Sequence, residues 1–264
     1  MRSMIARSRF LGVLALGLSM GFGSPALAEL EVTPMVSASW LHEHLDDESL
    51  VILETRSELS FQLSHVPGAI NTSYPGGWAE TRDEVPARLP DIPTIAAFIS
   101  SLGISNDSTV VIVPEGSGIS DLGNATWIYW VLKYLGHDGV TIVDGGWTEW
   151  FLEGFETEEG EGRVPEPAEF VASPRAELIV DTDYVFSRID TETVLVDARP
   201  FQQYTGESVP ALVTRPGHIP GAISLDNFLF YDRSYGRLKP YEELVAALPL
   251  ELADRSVEVI AYCT

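Results

Sequence analysis

Short apolar runs and helical spacings alternate along most of this chain. Residues 50–53 and Thr109–Val113 are unbroken apolar or β-branched stretches, and each predicts a strand buried on both faces. Val140–Val143 and residues 194–196 and 257–262 repeat the pattern. Between them the spacing of apolar positions becomes helical. A Ser-capped amphipathic helix follows Val36, with Trp40, Leu41 and Leu45 toward a core, and a second covers 94–102. A third spans 122–135 with Trp127, Tyr129, Trp130 and Leu132 as core, and a short one after Asp144-Gly145-Gly146 carries Trp150. The stretch 74–93, rich in Gly, Pro and charge, predicts a loop. Such alternation with short turns predicts an α/β fold, a parallel sheet carrying helices on both faces.

The pattern occurs twice. Val51-Ile52-Leu53-Glu54-Thr55-Arg56 is matched by Val194-Leu195-Val196-Asp197-Ala198-Arg199, an offset of 143 positions. Ser64 to Ile70, with His65-Val66-Pro67-Gly68-Ala69, is matched by Gly217-His218-Ile219-Pro220-Gly221-Ala222-Ile223, an offset of 153. Residues 257–262 fall on 108–113, an offset of 149. A period near half the chain length predicts two copies of one domain. The acidic Gly- and Pro-containing stretch 158–176 connects them, which sets domains over 29–157 and 177–264.

The second copy ends its third strand on Cys263, the only cysteine in the sequence. At the carboxyl end of a parallel strand a thiol meets unpaired backbone N–H groups and a helix N-terminus, both of which favour the nucleophilic thiolate. A small buried hydrophobe is the plainer reading of a lone cysteine. The first copy has Pro114 at this position, and proline has no nucleophile. Asp197 and Arg199 close the neighbouring strand, and two readings stand: a structural ion pair, or a direct part in shaping an anion pocket. His218 reads as a turn-stabilising side chain, and Arg233, Arg237 and Lys239 either line the approach or are solvated surface charge. His42 and His44, two apart on a helix, point to different sides and do not predict a metal site.

Residues 1–28 stand apart. Arg2, Arg7 and Arg9 precede an apolar stretch over 10–22 and an Ala26-Leu27-Ala28 cleavage motif, the pattern of a bacterial secretory signal cleaved near Ala28. The apolar part is too short to span a bilayer, so the expected location is the periplasm with no membrane attachment after cleavage. A single cysteine forms no internal disulfide and so crosses an oxidising space as a thiol. The formal charge of −23 argues against nucleic-acid and anionic-membrane partners.

The paired Asp-x-Arg strand ends and His-x-Pro-Gly-Ala turns, the Leu135-Gly136-His137-Asp138…Asp144-Gly145-Gly146-Trp147 ending of the first copy and the cysteine of the second together resemble the tandem rhodanese-like sulfurtransferases. The resemblance covers 32–264 and implies two rhodanese-like domains, the first non-catalytic, the second catalytic. It implies a Cys263 thiolate that takes sulfane sulfur from a small anionic donor of the thiosulfate or 3-mercaptopyruvate type and passes it to cyanide or a thiol, with no cofactor and no metal. Asp197, Arg199, Gln203 and Thr264 are then the substrate-binding or site-shaping residues. Gln203 stands where well-studied members resembling this chain carry an arginine, which leaves the donor anion open. The loop, helix and strand expected after the cysteine lie beyond Thr264, so the second domain reads as truncated. A chain stopping there is expected to show a folded first domain, a loosened second one and no sulfur transfer. A non-catalytic binding protein, or a phosphatase or arsenate reductase on a similar scaffold, are the alternatives.

Overall fold

The computed structural model describes residue 30, residues 32–233 and residues 236–263. The expected signal peptide and Thr264 lie outside the described residues. The chain opens with β1 (Met35–Val36), α1 (Ala38–Glu43), β2 (Leu50–Glu54), α2 (Glu58–Leu63) and β3 (Ile70–Asn71). It continues through β4 (Glu80–Arg82), β5 (Val85–Arg88), α3 (Ile92–Ser101), β6 (Thr109–Val113), α4 (Ile119–Tyr134), β7 (Val140–Val143) and α5 (Gly146–Leu152). Five of these strands form a sheet in the order β1-β7-β6-β2-β3, every pair parallel.

Alternate residues of the central strands serve different cores. Val51, Leu53, Val110 and Ile112 face α3 and α4 through Ile95, Ile99, Ile128 and Leu132. Leu50, Ile52, Val111 and Val113 face Leu41, Phe61 and Trp150 on the opposite side. Burial on both faces is why the strands read as continuous apolar runs rather than alternating ones.

The second copy contains α6 (Thr182–Arg188), β8 (Val194–Asp197), α7 (Phe201–Thr205), β9 (Ile223–Ser224), β10 (Tyr231–Asp232), β11 (Arg237–Leu238), α8 (Tyr241–Ala246) and β12 (Val259–Tyr262). Its parallel sheet, ordered β12-β8-β9, reproduces β6-β2-β3 residue for residue. Leu53 pairs with Ile70 and Glu54 with Val113 in the first copy; Val196 pairs with Ile223 and Asp197 with Tyr262 in the second. Its core is Leu195, Ala222 and Ile260, with Tyr184, Val185, Ile219 and Tyr262 packed around them.

Four expectations need correction. The strand over 257–262 is not buried on both faces: β12 ends the order of its sheet, with Ile260 buried and Val259 and Ala261 exposed. The stretch 74–93 is not all loop: β4 and β5 form an exposed antiparallel hairpin. Its two-residue connection is Asp83-Glu84, both at positive φ, where the usual sequence signal would be Asn-Gly or Asp-Gly. Helices α3 and α4 begin two and three residues earlier than their apolar spacing indicates, α3 because Asp91 caps it by accepting from Thr94 N at 2.9 Å. Trp127, Tyr129 and Trp130 are only partly buried, and it is Ala125, Ile128, Val131 and Leu132 that α4 buries.

The connection 158–176 is a strap laid over the first copy. Backbone N–H groups of Arg163, Ala168, Ser173 and Arg175 donate to the carbonyls of Ala69, Ser100, Leu135 and Tyr134, and Phe170 is buried in the α3–α4 core.

At the end of β2, the buried Glu54 and Arg56 tie the sheet to its surroundings. Arg56 Nε donates to Glu54 Oε2 at 2.8 Å and Arg56 Nη2 donates to the Ser64 carbonyl. Val66 N donates to Glu54 Oε1 at 2.6 Å, and the guanidinium lies 4.0 Å over the Trp147 ring. Burial outweighs Arg56 and pushes the Glu54 carboxyl up to about 7.

Because both carboxylate oxygens of Glu54 accept from buried donors, an amide in its place must turn its NH2 toward one of them. Glu54→Gln is therefore expected to destabilise the first copy by about 1–3 kcal/mol, the cost of a buried unsatisfied donor, as read from urea unfolding midpoints. The folded state binds the Glu54 proton more tightly than the unfolded chain, so this group's contribution to stability falls as pH rises from 4.5 to about 7 and is level above it. Gln does not titrate, and the gap between the two proteins should narrow across that window.

Candidate active site

Strands β8 and β12 run side by side in parallel and end together, Asp197 opposite Tyr262, so the next residues of each share one rim of the sheet. Asp197 and Arg199 are both buried. Arg199 Nε donates to Asp197 Oδ1 at 2.9 Å and Nη2 donates to Oδ2 at 2.6 Å, a forked pairing, while Arg199 N donates to Oδ1 at 3.0 Å. Arg199 Nη2 also donates to the Gly217 carbonyl at 2.8 Å, as Arg56 does to Ser64 in the first copy. Burial pushes the Asp197 carboxyl up, but the hydrogen bonds from Arg199 outweigh it and hold the group below its ordinary range. This geometry favours the ion-pair reading: the pair is spent on fixing the rim.

The His-x-Pro-Gly turn is held in the same way in both copies. His218 Nδ1 lies 2.8 Å from the Tyr204 carbonyl and its ring stacks on Tyr204 at 3.8 Å. His65 Nδ1 lies 3.0 Å from the Phe61 carbonyl and stacks on Phe61 at 4.0 Å. Both imidazoles are fixed against a helix and serve the turn.

Tyr262 closes the network. Its hydroxyl accepts from Ile219 N at 3.1 Å and stands in the field of the Asp197 carboxylate, and Arg199 lies 5.6 Å over its ring. Its carbonyl accepts from Ala198 N at 3.0 Å. Burial pushes its phenol up to about 12, so the hydroxyl keeps its proton.

Cys263 follows directly. The thiol is exposed, in no disulfide, and opens on a cleft of about 960 Å3 between the two copies. Tyr74, Trp127 and Trp130 of the first copy form one wall; Phe230, Tyr231 and Leu238 of the second form the other. Trp127 and Trp130, assigned to core by their spacing, thus face the cleft, with Trp127 anchored by an Nε1 hydrogen bond of 3.0 Å to the Trp78 carbonyl. Residues 127 and 130 sit one turn apart on a face adjacent to the buried one, a pattern that could have separated them from Ile128 and Leu132.

Other candidates lie elsewhere. Gln203, on α7, is half-buried and is not among the residues lining this cleft. Arg237 faces the first copy, 3.7 Å from Glu149, and Arg233 covers the Phe228 ring, so neither lines the cleft at the thiol, nor does Lys239. His42 pairs with Glu156 at 3.0 Å and His44 with the Trp40 carbonyl at 2.7 Å. Among the described residues no group of three or more His, Cys, Asp or Glu is placed to hold a metal.

The corresponding position of the first copy is Pro114, and the second copy covers the loop that follows it. Gly236, just before β11, lies so close to this loop that a Cβ on it would stand 2.1 Å from the Gly116 carbonyl oxygen, and its φ is +66°. Asp121 accepts from the backbone N–H groups of Glu115, Gly116 and Ser117 at 2.9, 2.6 and 3.3 Å, which uses up the donors of that loop.

The rhodanese-like domain family matches residues 37–153 and 181–264. Thiosulfate/3-mercaptopyruvate sulfurtransferase 2 of Arabidopsis thaliana is 28% identical over 261 residues, covering 87% of this chain and 75% of that protein. The 3-mercaptopyruvate sulfurtransferase of Escherichia coli K12 is 29% identical over 208 residues, 74% of this chain and 72% of that protein. The crystal structure of SseA from Escherichia coli, described by its rhodanese fold, superposes with a TM-score of 0.72 at 26% identity over 87% of this chain and 88% of that one. With two matched segments, two sheets in one register and a single strand-end cysteine, the chain belongs to the rhodanese-like domain family, among the sulfurtransferases that carry two such domains in tandem.

Proposed function

We propose that this sulfurtransferase moves sulfane sulfur through a persulfide on Cys263, from a small anionic donor of the thiosulfate or 3-mercaptopyruvate type to a thiol or cyanide. The observation that carries this reading is the placement of the chain's one cysteine: at the carboxyl end of β12, beside the buried Asp197–Arg199 pair, open to the cleft, with proline at the matching position of the first copy. The relatives named above act, by their names, on those donors. In this reading residues 177–264 carry the chemistry and residues 29–157 supply the facing wall.

The Cys263 thiolate attacks the outer sulfur of the donor and forms a new S–S bond. With thiosulfate the donor's S–S bond breaks and its electron pair leaves on sulfite; with 3-mercaptopyruvate the C–S bond breaks and the pair leaves as pyruvate enolate, which takes a proton from water. The acceptor then attacks the terminal sulfur and the Cys263 thiolate is returned. No second cysteine exists in the chain to discharge the persulfide as an internal disulfide. Asp197, already paired, hydrogen-bonded and ionised, serves to hold Arg199 and the rim and takes no proton in this scheme.

Cys263→Ser in the full-length protein is expected to abolish sulfur transfer from either donor, since a hydroxyl neither ionises near neutrality nor holds a persulfide; turnover retained by this variant would refute the assignment. Gln203 lies on α7 outside the cleft lining and offers only a neutral amide to an anion approaching the rim, and we propose that thiosulfate is used weakly for that reason. Gln203→Arg should lower KM for thiosulfate by about tenfold, the change expected when a neutral hydrogen bond becomes a charge-assisted one. An unchanged or raised KM would place the donor's anion away from α7. We further propose export to the periplasm, from the arginines and apolar run of residues 1–28. Intact-mass analysis of the periplasmic fraction should find an N-terminus at or near Glu29, and a cytoplasmic Met1 species would sink this.

A further inference from the structure

The two copies share one hydrogen-bond network at the sheet rim and differ at one point in it. In the first copy Glu54 spans the whole distance: one carboxylate oxygen meets Arg56, the other accepts from Val66 N at 2.6 Å. The matching residues of the second copy are Asp197, Arg199 and Ile219. Aspartate is one methylene shorter, and here Ile219 N donates to the Tyr262 hydroxyl instead. A phenolic oxygen can accept from an N–H as a carboxylate oxygen does, so Tyr262 takes over the half of Glu54's work that the shorter Asp197 leaves undone.

The consequence differs for the strand that matters. In the first copy the residue matching Tyr262 is Val113, buried and without a polar side chain, and the side-chain network ends at β2 and the turn. In the second copy the network extends into β12 and ends one residue before the thiol. Tyr262 is held by its hydroxyl on Ile219 N and by its ring beneath Arg199, in addition to the carbonyl bond from Ala198 N that Val113 also has from Thr55 N.

We propose that Tyr262 is a positioning residue for sulfur transfer: by accepting the Ile219 N–H it ties the end of β12 to the His-x-Pro-Gly turn and so fixes the placement of the Cys263 sulfur. This rests on Cys263 as the nucleophile. The tether is present in the copy that has a reacting atom to place and replaced by Glu54 and Val113 in the copy that has none.

The test is Tyr262→Phe in the full-length protein, assayed for kcat and KM with the donor and for its thermal midpoint. A displaced nucleophile loses rate rather than affinity, so kcat should fall about tenfold while KM stays within about twofold. The double variant Asp197→Glu/Tyr262→Phe restores the arrangement of the first copy, a carboxylate long enough to reach the Ile219 N–H. It is expected to regain most of the thermal midpoint and little of the rate. A kcat for Tyr262→Phe within about twofold of the parent would overturn the proposal, as would recovery of kcat together with stability in the double variant. Should Tyr262→Phe fail to fold, the double variant decides alone by the same criterion. Cys263→Ser run alongside separates the two claims: turnover there refutes the nucleophile, whereas its loss with an unimpaired Tyr262→Phe refutes only the tether.

Discussion

A carboxylate and a guanidinium two residues apart, both shielded from water, close β2 in one sheet and β8 in the other. Removing two charges from solvent is costly, and the cost is offset only where nearly every donor and acceptor finds a partner. Here the partners come from elsewhere in the fold: the Ser64 and Gly217 carbonyls, the Val66 N–H group, the Trp147 and Tyr262 rings. Satisfying the pair therefore fixes the His-x-Pro-Gly turn, and the turn fixes where β3 or β9 enters the sheet. Everything on the rim, including the thiol after β12, is placed with reference to this one buried pair.

The main lines of this arrangement are legible in the sequence because two-sided burial forces continuous apolar strands, and duplication lets one copy check the other. The offsets between Leu53 and Val196 and between Ile70 and Ile223 carry over to the strand pairings without a slip. What the sequence hides has physical reasons. The β4–β5 hairpin buries almost nothing and turns on Asp83-Glu84, so neither alternation nor a glycine marks it. The strap 158–176 has the composition of a linker, and one phenylalanine, Phe170, is the whole apolar sign that it is docked. Trp127 and Trp130 differ from the core residues beside them only by their side of α4. Tyr262 reads as the last residue of a buried strand, and its hydroxyl acquires meaning only beside the shortened Asp197.

The copies are unequal in more than their cysteine. The first contributes Tyr74, Trp127 and Trp130 to the cleft, and has its own strand-end loop closed twice, from inside by the Asp121 carboxylate and from outside by Gly236. The strand end that carries the cysteine in one copy receives the neighbouring copy in the other. Arg237 on β11, 3.7 Å from Glu149, is part of that reception rather than of any approach to the thiol.

The strap also sets how the two copies meet. Its last attachments are Arg175 N on the Tyr134 carbonyl and the Arg175 guanidinium on Asp138, the latter at 2.5 Å. Between Arg175 and the start of α6 at Thr182, part of the chain is taken up by the helical turn Ala176–Leu178. A tether this short keeps each copy at an effective concentration on the order of millimolar around the other. The walls of the cleft can thus face one another without any strong intrinsic affinity between the copies.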